Sequence, residues 1–285
     1  MSAAVVTGVR PVGTPRRGVT AGGVVAAEWT KLTSLRSPWW TAVVTVLVAG
    51  VITWLSANAS SVDPGFVPAD SISTGLLLAQ LGPLVLGVLV GAGEFRTGGF
   101  RSTFTVVPRR WPVLAAQAVV TAAFGLGLAV VTVAACVAGV LPAAASRGMT
   151  LDLAADGTPG VLVGMVLLLV GLALLGLAVG ALLRRTVPAL VTAIVLVFLL
   201  PVVLMLASDP LIGGAASEGS GLTVTGTVGV LLPGTAGQLM TLPAGSTGMD
   251  GAPALGPVGG GLVLAAWVLV LLGLAAVRLR TRDVT

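Results

Sequence analysis

Few side chains in this sequence could carry out acid–base, nucleophilic or metal chemistry. The 285 residues include no histidine, one cysteine (Cys136) and one lysine (Lys31). Zinc or iron sites built from Cys and His, and mechanisms that need a histidine base, therefore have no residues to use. A Walker A loop needs a lysine after a glycine-rich turn, and Lys31 stands in Trp-Thr-Lys-Leu without one. We predict that the chain is not an enzyme, binds no cofactor or metal and cannot itself hydrolyse ATP.

The composition predicts an integral membrane protein. Hydrophobic residues make up 56% of the chain and charged residues 9%, whereas soluble domains carry about 25% charged residues. The net charge of +5 could suggest a nucleic-acid partner, but the arginines form short clusters between apolar runs, so we predict no such partner. The preference for arginine over lysine and the abundance of Ala, Val and Gly are typical of a G+C-rich bacterial genome. We therefore expect an all-α, multi-pass protein of the bacterial cytoplasmic membrane, surrounded by the lipid bilayer.

Charge-free intervals locate the membrane spans. A helix needs about 20 apolar residues to cross the hydrocarbon core, and a charge at its centre is costly. Six intervals qualify, and we place the spans at residues 39–57, 72–93, 111–141, 160–183, 187–207 and 258–277. The third interval is longer than one crossing requires, which predicts a tilted helix or one that extends beyond the membrane.

Another uncharged stretch, residues 222–243, is interrupted by glycine and proline and predicts a broken segment instead of a seventh span. Its central break contains Pro233, Gly234 and Gly237. Broken backbone at membrane depth is tolerated only where protein covers it or water reaches it, so the segment is either re-entrant or interfacial. With six spans and a cytoplasmic N-terminus, every Lys and Arg except Arg147 lies on the cytoplasmic side, as the positive-inside rule requires. Both termini are then cytoplasmic.

The N-terminal region predicts a tail followed by an interfacial helix. Residues 1–21 lack apolar periodicity and are expected to form a flexible cytoplasmic tail, whereas residues 22–285 form a single transmembrane domain. In the stretch before the first span, residues recur at helical spacing, which favours a helix along the inner leaflet: Val25, Trp29, Leu32 and Arg36. A simple extension of the first span explains the spacing equally well.

Three Gly-x-x-x-Gly pairs occur in the spans, and such pairs permit close contact between helices. They are Gly87 with Gly91, Gly160 with Gly164, and Gly176 with Gly180. Because the chain has 40 glycines, pairs at this spacing also arise by chance. We therefore assign them a modest packing role and predict no dimer face from them.

The loop between the second and third spans carries an unusual set of side chains. Phe100 and Phe104 are four residues apart and would share one face of a short helix, with Arg96 one turn earlier. Exposed phenylalanines at this position need lipid or a partner protein to cover them. Two interpretations remain open: an arginine-bearing loop that sets the topology and rests its rings on the bilayer, or a docking segment.

Three segments together resemble the permease subunits of ABC type-2 exporters, especially the short actinobacterial kind. The first is Ala27-Glu28-Trp29-Thr30-Lys31-Leu32, which continues to Pro38-Trp39-Trp40. The second is Gly93-Glu94-Phe95-Arg96-Thr97-Gly98 with the later Pro108-Arg109-Arg110. The third is Leu232-Pro233-Gly234-Thr235-Ala236-Gly237-Gln238. The likeness in order and spacing covers nearly the whole chain.

The resemblance implies a half-transporter. Two six-span subunits, as a homodimer or a heterodimer, would form the pathway, and a separate ATP-binding cassette ATPase would bind ATP and magnesium. By the family's pattern, a coupling helix that contacts the ATPase would include Glu94, Phe95, Arg96, Phe100, Arg101 and Phe104. The break at Pro233, Gly234 and Gly237 would close the pathway on the outer side. The alternatives are a membrane scaffold or sensor subunit that transports nothing, and a passive channel or carrier.

Overall fold

The computed structural model describes residues 20–97, 111–154, 157–208, 222–243 and 251–281, and every regular element in these ranges is a helix. Helix α1 spans Ala21–Ser34 and α2 spans Arg36–Ser60. Leu35 separates them with an extended backbone, φ −82° and ψ 143°. The helix before the first span is therefore a separate element and not an extension of that span.

Six helical segments are long and apolar enough to cross a membrane, which confirms the all-helical fold class and marks a multi-pass membrane protein. We number them as spans 1 to 6 in chain order: Arg36–Ser60, Pro68–Gly93, Trp111–Ser146, Thr158–Leu183, Thr186–Ala207 and Pro257–Leu279. Each predicted span lies inside the corresponding observed segment. The agreement arises because charges and helix breakers bound every apolar run on both sides.

The spans differ in regularity. Span 2 starts with a 3-10 helix (Pro68–Ser71) and a short α3 (Leu76–Ala79) before α4 (Leu81–Thr97). Spans 3 and 4 are the continuous helices α5 (Trp111–Ser146) and α6 (Thr158–Leu183). Span 5 joins α7 (Thr186–Ile194), a π-helical turn (Val195–Leu199) and α8 (Leu200–Ser208). The short helices α9 (Val224–Val230) and α10 (Pro233–Leu239) precede α11 (Pro257–Thr281), which contains span 6.

Spans 2 and 4 pack against each other through two of the three Gly-x-x-x-Gly pairs. A methyl group at Gly87 would overlap the carbonyl oxygen of Ala173, and one at Gly176 would overlap that of Leu84. The second member of each pair, Gly91 and Gly180, also meets the backbone of the opposite helix. These motifs thus bring two helices of the same chain into backbone contact.

Span 4 lies at the centre of the bundle and spans 1, 5 and 6 lie at its edge. In the most apolar part of each span, 61% of span 2 and 56% of span 4 is buried, against 22%, 17% and 22% of spans 1, 5 and 6. Span 4 contributes a group of large side chains to the central core, including Met165, Leu168, Leu169, Leu172 and Leu175. The outer spans therefore turn most of their apolar surface towards lipid or towards another chain.

Arginine side chains tie helix ends together at both ends of the bundle. At one end, Arg278 donates a hydrogen bond to the carbonyl oxygen of Leu182, and Arg184 donates one to the carbonyl oxygen of Arg278 at 3.2 Å. At the other end, Arg147 donates to the carbonyl oxygen of Asp63 at 3.2 Å. The last carbonyl groups of a helix lack partners within that helix, so these arginines satisfy or supplement exposed acceptors.

Candidate functional site at the α1 end of the bundle

The predicted coupling region begins at the end of α4. Glu94, Phe95 and Arg96 belong to that helix, which runs on to Thr97. Phe100, Arg101 and Phe104 lie outside the described residues, so the shared face of the two phenylalanines stays a prediction.

Helix α1 packs against α5, the helix that follows this loop. Val24 forms a buried cluster with Val113 and Ala116, which lie in the first two turns of α5. A second cluster combines Leu32 of α1 with Leu86 of α4, together with Val120 and Phe124 of α5. Helix α1 therefore supports α5 directly and shares one buried cluster with α4.

A charged residue lies in the middle of this buried face. Glu28 is 6% exposed and is flanked one turn away on either side by Val24 and Leu32, which are also buried. Its Oε1 accepts a hydrogen bond from Nζ of Lys31 at 2.7 Å, and the lysine side chain is about half exposed. A buried carboxylate is tolerated when a cation is held against it, and removing the lysine would leave its charge uncompensated.

The buried face of α1 is formed by Val24, Glu28 and Leu32, and Trp29 beside it is 42% exposed. The helix predicted from the spacing of Val25, Trp29 and Leu32 is present, and its placement along the inner leaflet stays a prediction. Indole rings are stable at a membrane surface, where one edge is apolar and the other is wet, so Trp29 need not be buried. The signal that was missed is the spacing of Val24, Glu28 and Leu32, four residues apart each time.

The junction of α1 and span 1 is held by Trp39. Its indole N–H donates to the carbonyl oxygen of Thr33 in the last turn of α1 at 3.0 Å. Its ring meets Phe124 of span 3 edge to face, with centroids 5.6 Å apart and an interplanar angle of 78°. One side chain thus connects α1, span 1 and span 3 and fixes the bend between the first two.

The broken segment, residues 222–243, contains two short helices, and the break predicted near Pro233 is present between them. Helix α9 ends at Val230, and Pro233 is the first residue of α10. Proline suits this position because the first N–H groups of a helix have no partner within it. The placement of residues 222–243 as a re-entrant or an interfacial element stays a prediction.

Backbone contacts fix α10 to three spans. A methyl group would overlap a carbonyl oxygen at three glycines, one each in span 4, α10 and span 6: Gly164 with Met240, Gly234 with Val197, and Gly260 with Ala236. Trp267 of span 6 donates its indole N–H to the carbonyl oxygen of Leu231 between the two short helices, at 2.8 Å. Gly237, the third residue of the predicted break, faces the side chain of Leu168. The broken segment is therefore packed tightly onto spans 4, 5 and 6.

The polar side chains buried within the described spans are neutral. They are hydroxyl and amide groups, chiefly Thr45, Thr53, Gln80, Gln117, Thr121 and Thr132. In the part of the chain that the structure describes, no three His, Cys, Asp or Glu side chains cluster so that they could hold a metal ion. Within the described spans, the buried polar groups are therefore hydroxyls and amides and carry no charge.

These features define the class of protein: a six-span helical membrane protein with an N-terminal helix at one end and a packed, broken segment before the last span. Neither family models nor curated proteins yield a match to this sequence.

Proposed function

We propose that the chain is the membrane-spanning permease subunit of an ATP-binding cassette exporter in the bacterial cytoplasmic membrane. It would move a lipophilic or amphipathic substrate, using ATP hydrolysed with magnesium by a separate ATPase subunit. The likeness of three segments to type-2 exporter permeases supports the proposal. The observation that carries it is the packing of α1 on α5, the helix that follows the loop that would bind the ATPase, in a buried cluster that also includes Leu86 of α4.

This packing offers a mechanical route from the loop into the bundle. A force on residues 98–110 would act on the ends of two spans. Val24 and Leu32 couple α1 to span 3 through buried clusters, and the cluster around Leu32 also includes Leu86 of span 2. Span 3 is one continuous helix from this loop to Ser146, at the opposite end of the bundle. A continuous helix moves as a unit, so a displacement at the loop would also displace the opposite end of span 3.

The surface of the bundle fits a subunit that works in pairs. Spans 1, 5 and 6 expose most of their apolar side chains, and a second permease subunit together with lipid would cover them. The neutral interior suits a lipophilic or amphipathic cargo. In this proposal both termini are cytoplasmic and the broken segment closes the pathway on the outer side as a re-entrant element.

Replacing both loop phenylalanines with aspartate, Phe100→Asp plus Phe104→Asp, is expected to abolish co-purification of the ATPase. Charged side chains cannot enter an apolar groove without losing hydration, so the docking contact would fail. The measurement is affinity purification from native membranes, with mass spectrometry for a Walker-bearing subunit and an assay of ATP hydrolysis in the purified complex.

Val187→Asp is the matched control, because Val187 is 71% exposed at the start of span 5, at the same end of the bundle in the proposed topology. The control should recover the ATPase in full, and both variants should insert into the membrane. Undiminished ATPase recovery with the double variant would rule out the loop as the docking segment.

Cysteine labelling tests the orientation. In a Cys136→Ala background, a membrane-impermeant maleimide added to intact cells should label cysteines placed at Ser217 and Met249, and none placed at Thr281. Six crossings put both ends of the chain on the cytoplasmic side, so Thr281 should react only after the cells are permeabilised. Labelling of Thr281 in intact cells would require an odd number of crossings.

A further inference from the structure

A groove lies on the surface of the bundle at the bend between α1 and span 1. It is formed by the last turn of α1 and the first turns of span 1, and its lining includes Thr33, Ser34, Leu35, Arg36, Trp40 and Val43. Trp40 is 67% exposed and Leu35 is 56% exposed. The groove contains one arginine and no acidic side chain, so its charge is positive.

The guanidinium group of Arg36 is available to a ligand. Arg36 is exposed, and it makes no hydrogen bond or ion pair with any residue in the described part of the chain. Arg147, Arg184 and Arg278, by contrast, each donate to a backbone carbonyl group. A guanidinium group presents donors in a planar fork that matches two oxygens of a phosphate. Leu35 ends α1 and begins span 1, so the partial charges of the two helix ends oppose each other and the positive charge of the groove comes from Arg36.

An apolar stripe continues from the groove along the exposed face of span 1. Trp40, Val44, Leu47 and Val51 recur at helical spacing, and each is at least half exposed. At about 1.5 Å per residue, the stripe is roughly 16 Å long. That length is about half the ~30 Å hydrocarbon core, which is the depth reached by one acyl chain in one leaflet.

We propose that this groove binds an anionic phospholipid. Arg36 holds the phosphodiester group, and an acyl chain lies along Trp40, Val44, Leu47 and Val51. A zwitterionic lipid carries its own cation beside the phosphate, which Arg36 repels, and free phosphate has no apolar part to fill the stripe. The site anchors the bend between α1 and span 1 at a fixed depth. It depends on the membrane location of span 1 and not on the transport proposal.

Fluorescence quenching by brominated lipids tests the site in the full-length protein. The protein is reconstituted in phosphatidylcholine vesicles that contain increasing fractions of brominated phosphatidylglycerol or of brominated phosphatidylcholine. Subtracting the signal of Trp40→Phe isolates the quenching of Trp40. One basic residue at a membrane surface supports a preference of about fivefold, so brominated phosphatidylglycerol should half-quench Trp40 at about a fivefold lower mole fraction. Soluble glycerol phosphate should not reverse this quenching, and its reversal would overturn the lipid assignment.

Variants separate the site from general surface charge. Arg36→Gln should remove the preference, and Ser34→Glu should also remove it because a carboxylate would then stand beside Arg36. Arg36→Lys keeps the charge and should retain part of the preference. Arg185→Gln is the matched control, since Arg185 is likewise exposed at the start of a span and bonded to no described residue; it should behave as wild type. Equal quenching by the two lipids in the wild type, or a preference that survives both Arg36→Gln and Ser34→Glu, would overturn the proposal.

Discussion

Gly87→Ala is expected to destabilise the bundle by about 3 kcal/mol, the upper part of the range for overpacked cores. The added methyl group would overlap the carbonyl oxygen of Ala173, and nearby backbone of span 4, at Leu177, also lies in its path. Because these obstacles belong to the backbone, no side chain can rotate to make room and the two helices must separate. The glycine of the facing motif, Gly176, should behave in the same way because its methyl group would meet Leu84.

Gly127→Ala provides the contrast, since an added methyl group at Gly127 has nothing within 4 Å. Alanine is favoured over glycine inside a helix by about 1 kcal/mol, so this variant should match or exceed the wild type. Thermal unfolding of detergent-purified protein, followed by loss of the monodisperse peak in size-exclusion chromatography, measures both changes. Gly87→Ala should lower the midpoint by roughly 6 °C or more. Equal midpoints for Gly87→Ala and Gly127→Ala would contradict the contact between spans 2 and 4.

The second large effect is expected at Gly164, where Gly164→Ala should loosen the broken segment. The methyl group would overlap the carbonyl oxygen of Met240, the residue that follows α10. Displacement of that residue pulls α10 away from span 4 and opens its amide groups to solvent. Hydrogen exchange in residues 224–239 should become at least about tenfold faster, which corresponds to about 1.4 kcal/mol of local stability.

Gly160→Ala is the matched control for this effect. Gly160 lies one turn earlier in the same helix and in the same Gly-x-x-x-Gly pair, but a methyl group there meets nothing within 4 Å. Exchange in residues 224–239 should therefore be unchanged in Gly160→Ala. If both variants accelerated exchange equally, the effect would belong to the helix in general and not to the contact with Met240.

The sequence predicts the spans well because their boundaries depend on strong, local physical costs. A charge inside the hydrocarbon core is costly, so span 4, for example, ends directly before Arg184. The break at Pro233 was equally predictable, because proline is favoured at the first position of a helix.

The partners of packed residues could not be predicted in this way. The Gly-x-x-x-Gly pairs indicate that another backbone comes close, but their spacing does not identify which one. The pairs in spans 2 and 4 face each other, whereas Gly164 faces Met240 in the broken segment. The face by which α1 packs on the bundle could not be predicted, because hydropathy ranks Trp29 above Glu28 for burial. The structure buries the carboxylate with Lys31 against it and leaves the indole exposed.

The candidate coupling site stays a prediction, and only its flanks are described. Helix α4 ends at Thr97 and α5 begins at Trp111, close to the boundaries that the apolar intervals predict. The support that α1 gives to α5 depends on tertiary packing between residues such as Val24 and Val113, which no local pattern reveals.

The arginine contacts at the ends of α6 and α11 have a consequence for the order of assembly during synthesis. They join residues 94 and 96 positions apart, so the partner on α11 is synthesised well after the end of α6. Domains and their parts fold from the N-terminus as the chain emerges. Span 4 can pack against span 2 before span 6 is synthesised. The carbonyl group of Leu182 at the end of span 4 accepts its hydrogen bond from Arg278 only afterwards. Span 6 therefore joins a bundle whose centre, spans 2 and 4, can already have formed.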